Sequence, residues 1–167
     1  VRRVRSEGAG VVIETDRAAY RARAAVVAVP VNTLSRIGFE PALPDPLAAA
    51  AEEGHPCRSI KSWARVRNIP DGLFAVGWGG AFQWVSNEYA LPDGSSLVVG
   101  FGFDRARVDP FDPVSVQAAL RQYAPEAEVL EVAAHDWSAD PLSLGAWSVW
   151  GPGWVADGHA WAAGARG

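Results

Sequence analysis

The segment AAVVAVPVNTLSRIGFEPALPDP, residues 24–46, decides how the chain is divided. Its opening run, residues 24–29, is continuous, small and β-branched, which is typical of a strand covered on both faces in an α/β sheet. Pro30 ends that run, and residues 32–37 favour a short helical turn. Because three prolines fall within residues 39–46, we predict a rigid connection and place a domain boundary there.

The segments around this boundary predict an α+β fold with an antiparallel-rich sheet. Upstream, residues 1–15 predict a β-hairpin that turns near Gly8 and Gly10. Downstream, periodicity and turn residues predict strands at residues 58–67, 81–87, 96–103 and 128–137, and a last short strand at residues 159–163. Two helices are predicted: Ala-rich residues 47–53 closed by Gly54, and a helix opened by Asp112 and Pro113 and stopped at Pro125. Residues 138–152 are rich in loops.

Composition excludes several classes of function. With 49% hydrophobic and 20% charged residues, the 167-residue chain can bury a core. A net charge of -4 gives no attraction to nucleic acid or anionic membranes, and no apolar run is long enough to span a bilayer. We therefore expect a soluble, cytoplasmic protein with neither partner. Cys57 is the single cysteine and the three histidines (His55, His135 and His159) are dispersed, so we predict no disulfide within the chain and no metal site.

Lys61 stands out among the basic residues. Of the fifteen Lys and Arg residues, Lys61 is the one lysine and fourteen are arginines. The alternation around it places Lys61 on the same strand face as Trp63. A sequence that strongly favours Arg but keeps Lys here gives weak evidence that an ammonium group is wanted at this position. The alternative is an ordinary solvated charge.

Three separated stretches resemble landmarks of the flavin monoamine oxidase and polyamine oxidase family. They are residues 24–44, the strand SIKSWARV at residues 59–66, and DWSADPLSLGAWSVWGPG at residues 136–153. The resemblance implies that Lys61 is the catalytic lysine that holds a water against flavin N5. It also implies that Trp147 forms one wall of the aromatic cage that binds the substrate, with Trp150 behind it.

The resemblance also implies a division into three segments. Residues 1–40 would belong to a partial, Rossmann-like FAD-binding domain, residues 41–137 to the substrate-binding domain, and residues 138–167 to a truncated return to the FAD-binding domain. Residues implied to contact FAD are Val29, Pro30, Trp137, Gly145, Ala146 and Gly164. Ala146 stands where covalent members of the family carry cysteine, so we expect noncovalent FAD.

The sequence lacks two features that FAD binding by this family requires. No G-x-G-x-x-G motif between a strand and a helix occurs in the chain, and no acidic residue follows such a motif. The chain also contains no methionine, so Val1 is not expected to be the native start. We therefore expect a C-terminal fragment that is inactive alone. Such a fragment would expose apolar surface at residues 24–29 and form homodimers or aggregates.

The expected function is the oxidation of a small-molecule amine by hydride transfer to flavin N5, with O2 as the final acceptor. Two alternatives stay open. One is another flavoprotein of the same fold, such as a relative of protoporphyrinogen oxidase or of carotenoid desaturases. The other is a non-catalytic binding module in which Trp78, Trp84 and Trp150 stack on sugars or peptides.

Overall fold

The computed structural model describes residues 1–149, 151–154 and 156, and these form two compact units. Unit 1 combines Val1–Pro56 with the described residues from Ser138 onward, and unit 2 is Cys57–Trp137. The first boundary between the units therefore follows Pro56, later in the chain than the connection at residues 39–46. Which unit binds a cofactor and which a substrate stays a prediction.

Unit 1 contains a four-stranded sheet built around a hairpin. Its strands are β1 (Arg3–Glu7), β2 (Gly10–Glu14), β3 (Ala19–Ala22) and β4 (Gly38–Glu40), in the order β3-β2-β1-β4. β1 and β2 pair antiparallel, and the turn between them uses Gly8 at φ +58°, a left-handed conformation that glycine adopts without strain. The predicted hairpin is confirmed. β4 adds to β1 in parallel.

Unit 1 also contains two short helices, one before the proline-rich residues 39–46 and one that begins at their end. The first, α1 (Val31–Leu34), is the predicted helical turn, and the second, α2 (Asp45–Glu53), contains the predicted Ala-rich helix. α2 begins with a proline in its first turn, where no backbone N–H is needed. It ends at Gly54, which has φ +65° and donates its N–H to the carbonyl of Ala50.

The predicted strand at residues 24–29 is wrong. The segment has no assigned strand, and all of its residues are exposed, with Val26 exposed by 93%. A buried strand needs hydrogen-bonded neighbours on both edges and cover on both faces, and the described part of the chain provides neither for this run. A β-branched run alone therefore does not make a strand. The expected exposure of apolar side chains is observed at Val26, Val27 and Val29.

Unit 2 is built on a five-stranded antiparallel sheet. Its strands are β5 (Ile60–Arg67), β6 (Phe74–Val76), β7 (Trp84–Ala90), β8 (Ser96–Gly102) and β9 (Glu128–Ala134), in the order β6-β7-β8-β5-β9. The four strands predicted in this region are confirmed, although β7 begins and ends three residues later than predicted. β6 was not predicted, because its three residues are too few to show a period.

One face of this sheet packs against α3 (Pro113–Leu120). The helix begins as predicted: the Asp112 carboxylate accepts hydrogen bonds from the N–H groups of Val114 and Ser115, and Pro113 occupies the first turn. The core between helix and sheet includes Ile60, Ala64, Val66, Phe82, Val85, Val98, Val116 and Leu120. Burial alternates along β5, so its other face is free to carry a different set of side chains.

The fold is thus mixed α/β with two sheets, of which the sheet of unit 2 is antiparallel throughout. This confirms the antiparallel-rich part of the expected fold, and the Rossmann-like part stays a prediction. The predicted strand at residues 159–163 lies outside the described residues. Within the described ranges, no helix combines the length and hydrophobicity of a membrane span, and no three His, Cys, Asp or Glu side chains are grouped to hold a metal ion.

Candidate functional site

The face of the unit 2 sheet opposite α3 carries a row of aromatic side chains beside the lysine. Strand register creates the row, because Lys61 on β5 lies opposite Phe101 on β8, and Phe101 lies opposite Trp84 on β7. We call this set the aromatic face and define it as Phe74, Trp84, Phe101, Lys61 and Trp63. All five side chains alternate with residues that point into the core.

The Lys61 ammonium lies over two aromatic rings. Its Nζ is 5.0 Å from the centroid of the Trp63 ring and 5.3 Å from that of Phe101. Such contacts contribute about 0.5–1 kcal/mol each at exposed sites and more when water is excluded. The side chain is half-buried, and none of the ion pairs found among the described residues includes Lys61. The sheet therefore holds a positive charge over apolar rings, and no carboxylate of the described part of the chain is paired with it.

Arg65 shows that this arrangement is specific to Lys61. Arg65 lies on the same strand, and its guanidinium pairs with Asp93 at 3.2 Å and with Glu131 at 3.2 Å. Hydrogen bonds from the Ser95 hydroxyl and backbone N–H lower the pKa of the Asp93 carboxyl, and the charge of Arg65 lowers it further. Arg65 is thus a neutralised surface charge, whereas Lys61 is not.

The remaining aromatic residues extend the face away from the lysine. The rings of Trp84 and Phe101 are stacked, with centroids 4.4 Å apart and planes 8° apart, and Phe74 tilts against Trp84 at 5.8 Å. The indole Nε1 of Trp84 is buried, and none of the described residues provides a hydrogen-bond partner for it. From the sequence, Trp84 was named as a stacking residue of the alternative binding module, and neither Phe101 nor Phe74 was named as a site residue. The pairing of β5, β8 and β7 was the missing information, since only the register brings these rings together.

In unit 1, the segment around Trp147 is fixed by the side chain of Asn32. The Asn32 amide nitrogen donates to the carbonyls of Leu144 (2.8 Å) and His55 (3.2 Å). Its amide oxygen accepts the backbone N–H of His55 at 2.6 Å. A single side chain at the start of α1 therefore joins the end of α2 to the segment that carries Gly145, Ala146 and Trp147.

The backbone around these bonds is unusually close and partly strained. A Cβ on Gly145 would lie 2.7 Å from the Asn32 amide nitrogen and 2.6 Å from Cε1 of His55, and one on Gly54 would lie 2.8 Å from the Asn32 amide oxygen. Leu144 has φ +55°, which is uncommon for a bulky residue without support. Gly145 is needed here for close packing, whatever its relation to a cofactor.

The structure leaves the predicted site residues in two separate groups. Trp147 is 49% exposed and Ala146 half-buried; Val29 and Pro30 are exposed, and all four belong to unit 1 with Gly145. Lys61 and Trp137 belong to unit 2, where the ring of Trp137 lies 4.3 Å from that of His135. The convergence of Lys61 and Trp147 on one flavin therefore stays a prediction. Trp150 and Gly164 lie outside the described residues.

Comparison with known sequences identifies relatives across most of the chain. The family model described as "Flavin containing amine oxidoreductase" matches residues 1–163. (S)-6-hydroxynicotine oxidase of Paenarthrobacter nicotinovorans is 39% identical over 132 residues, which cover 79% of this chain and 31% of that protein. Pseudooxynicotine dehydrogenase of a Pseudomonas species is 30% identical over 157 residues, covering 92% of this chain and 31% of the relative. The chain spans about a third of the length of these relatives.

Solved structures show the same fold. Putrescine oxidase bound to putrescine superposes with a TM-score of 0.76 at 23% identity, over 99% of this chain and 40% of that one. Cyclohexylamine oxidase from Brevibacterium oxydans IH-35A gives a TM-score of 0.66 at 21% identity, over 87% and 35%. Since the family model covers nearly every residue of the chain, the chain belongs to the flavin containing amine oxidoreductase family.

Proposed function

We propose that the protein containing this chain is an FAD-dependent enzyme that oxidises an amine by hydride transfer to flavin N5, with O2 as acceptor. One observation carries the proposal: the half-buried Lys61 ammonium lies over Trp63 and Phe101 with no carboxylate partner among the described ion pairs. A fixed positive charge in an apolar setting stabilises negative charge that develops near it. As the chain spans about a third of its relatives, the activity is proposed for the complete natural polypeptide and not for these residues alone.

The residues present fit a noncovalent flavin. Ala146 offers no thiol for a covalent bond. The residues that would hold FAD are Val29, Pro30, Gly145 and Ala146 of unit 1, Trp137 of unit 2, and Gly164. When bound, FAD would accept the hydride and pass its two electrons to O2. The chain supplies orientation and charge.

The proposed roles of the protein groups follow from their chemistry. Trp147, half-exposed, would offer a flat ring that aligns the amine, and Lys61 would donate a hydrogen bond to a water and stabilise negative charge on the reduced cofactor. Each group binds, orients or stabilises charge, and none forms a covalent bond with the substrate.

The aromatic face favours an apolar amine with a single amino group. Its one cation is Lys61, and Glu131, a carboxylate on the neighbouring strand β9, is paired with Arg65, so a second ammonium on a substrate would meet Lys61 instead of an unpaired anion. Flat rings such as Trp84 and Phe101 pack well against a ring on the substrate. The relative named (S)-6-hydroxynicotine oxidase, and a second named nicotine dehydrogenase, which is 33% identical over 147 residues, support a ring-bearing amine over a linear diamine.

The test is made on the complete natural polypeptide. We expect the purified protein to show a flavin spectrum, and we expect acid to release the flavin from the protein. In the absence of oxygen, a ring-bearing secondary or tertiary amine should bleach the flavin faster than putrescine does. On admitting air, O2 consumption should match amine oxidised. Relatives named dehydrogenases make this last step informative, because bleaching without O2 consumption would indicate a different acceptor. Ligand binding with no flavin at all would support the binding module and refute the proposal.

A further inference from the structure

We propose that Asn32 is a positioning residue that sets the place of Trp147. The inference rests on the proposed role of Trp147 as a wall of the substrate site, but its evidence lies entirely within unit 1. The three hydrogen bonds of Asn32, to Leu144 and His55, join two segments that are far apart in sequence. Leu144 comes three residues before Trp147, so the bond to its carbonyl fixes the start of the segment that carries the indole.

The tight packing of two glycines around the Asn32 side chain supports this positioning role. A Cβ on either Gly54 or Gly145 would come within 2.8 Å of an Asn32 side-chain atom. Both positions are glycine, and real Cβ atoms essentially never come so near. The amide therefore occupies a slot that two separate segments leave open, and a longer side chain at Asn32 would collide with both.

Backbone strain gives a second, independent reason. Leu144 adopts φ +55°, a conformation that costs free energy for a bulky residue and persists only when its surroundings impose it. Two contacts impose it here: the Leu144 carbonyl accepts from Asn32, and the Leu144 N–H donates to the carbonyl of Asp140 at 2.8 Å. Without Asn32, we expect the backbone at Leu144 to relax and the path of residues 145–147 to change.

Asn32→Asp is the sharpest variant, because it keeps the shape and the acceptor for the His55 N–H. It replaces the amide nitrogen with an oxygen, which leaves the carbonyls of Leu144 and His55 without a donor and facing a like partial charge. Arg36→Ala is the matched control. Arg36 joins the same part of the chain to the same segment, through Pro141 at 3.0 Å, but its side chain is exposed.

The experiment follows 5-fluorotryptophan resonances in the complete natural polypeptide, with Trp147 assigned through Trp147→Phe. Asn32→Asp should shift or broaden the Trp147 resonance more than that of Trp154, whose indole N–H donates to Glu53, two residues before His55. Arg36→Ala should change neither. A general packing role would instead move both resonances together, and that result, like an unchanged Trp147, would overturn the proposal.

Two further readouts keep the result independent of folding and of activity. Exchange of the Leu144 amide should accelerate at least about tenfold in Asn32→Asp, while that of the β5 and β8 amides stays unchanged. Gly145→Ala disturbs the same contact from the other segment while Asn32 is kept, and it should also accelerate hydrogen exchange of the Leu144 amide. Unchanged Leu144 exchange in both variants would refute the role of Asn32. These measurements involve no turnover, so they stand even if the protein does not oxidise amines. A rise in KM with unchanged kcat, on a ring-bearing amine, would then connect Asn32 to Trp147 as a substrate wall.

Discussion

Replacing Phe101 with leucine should lower the stability of unit 2 and remove one of the two ring contacts of the Lys61 ammonium. The substitution removes the stack on Trp84 at 4.4 Å and one of the two rings beneath the Lys61 ammonium. An aromatic pair contributes about 0.5–1.5 kcal/mol and a cation over a ring about 0.5–1 kcal/mol, which gives a loss of about 1–2.5 kcal/mol. Hydrogen exchange of the most protected β5 and β8 amides should therefore accelerate about 5- to 70-fold.

Phe103→Leu is the matched control for this prediction. Phe103 lies just beyond the end of β8 and is 54% exposed, against 9% for Phe101, so its loss should change exchange by less than about threefold. Equal effects of the two variants would refute the reasoning, because they would show that the stack and the ammonium contact contribute nothing. An acceleration confined to Phe101→Leu would support it.

Three further predictions concern the rest of unit 2. Gly100→Ala places a Cβ 2.8 Å from three ring atoms of the fully buried Phe82 and should lower the stability of unit 2 by about 1–3 kcal/mol in chemical unfolding. Asp112→Ala removes the cap of α3 and should lower the stability of unit 2 by about 1 kcal/mol, also measured by chemical unfolding. Ser95→Ala should raise the pKa of Asp93 toward its ordinary value, followed by NMR titration of the carboxyl. Because the pKa of Asp93 is lowered in the folded protein, its contribution to stability is present above the ordinary Asp pKa and is lost as the pH falls through the folded value.

Each of these predictions has a control or a contradicting result. A Gly100→Ala variant with unchanged stability would contradict the steric argument, because the added Cβ would then fit beside Phe82 without cost. Asp71 is an exposed turn residue, so Asp71→Ala should cost less than about 0.5 kcal/mol. An Asp93 titration that is unchanged by Ser95→Ala would show that the Ser95 hydroxyl does not lower the pKa, and would leave the Ser95 backbone N–H and the charge of Arg65 as the causes.

Local signals in the sequence were sufficient where an element carries its own signature. The cap at Asp112, the turn at Gly8 and the period-2 pattern around Lys61 each depend on a few neighbouring residues, and all three are observed. The segment at residues 24–29 is different, because a strand of this kind depends on partners elsewhere in the sheet. Its composition could not reveal that the described residues provide none.

The candidate site shows the same limit. Lys61 and Trp63 were placed on one face from their spacing alone, whereas Phe101 joins them only through the register of β5 and β8. Asn32 was not singled out, since a polar residue in a helical turn has no sequence signature for the three bonds it makes. Contacts between segments that are distant in sequence could therefore be identified only from the structure.

The role of Lys61 is tested most directly by the rate at which O2 reoxidises the reduced flavin of the complete natural polypeptide, measured by stopped flow. Arg67→Met is the control, because it removes a positive charge from the exposed end of the same strand. Lys61→Met should slow reoxidation by at least about tenfold while Arg67→Met leaves it unchanged and both variants keep the wild-type flavin spectrum. Equal reoxidation rates in the wild type and Lys61→Met would contradict the account.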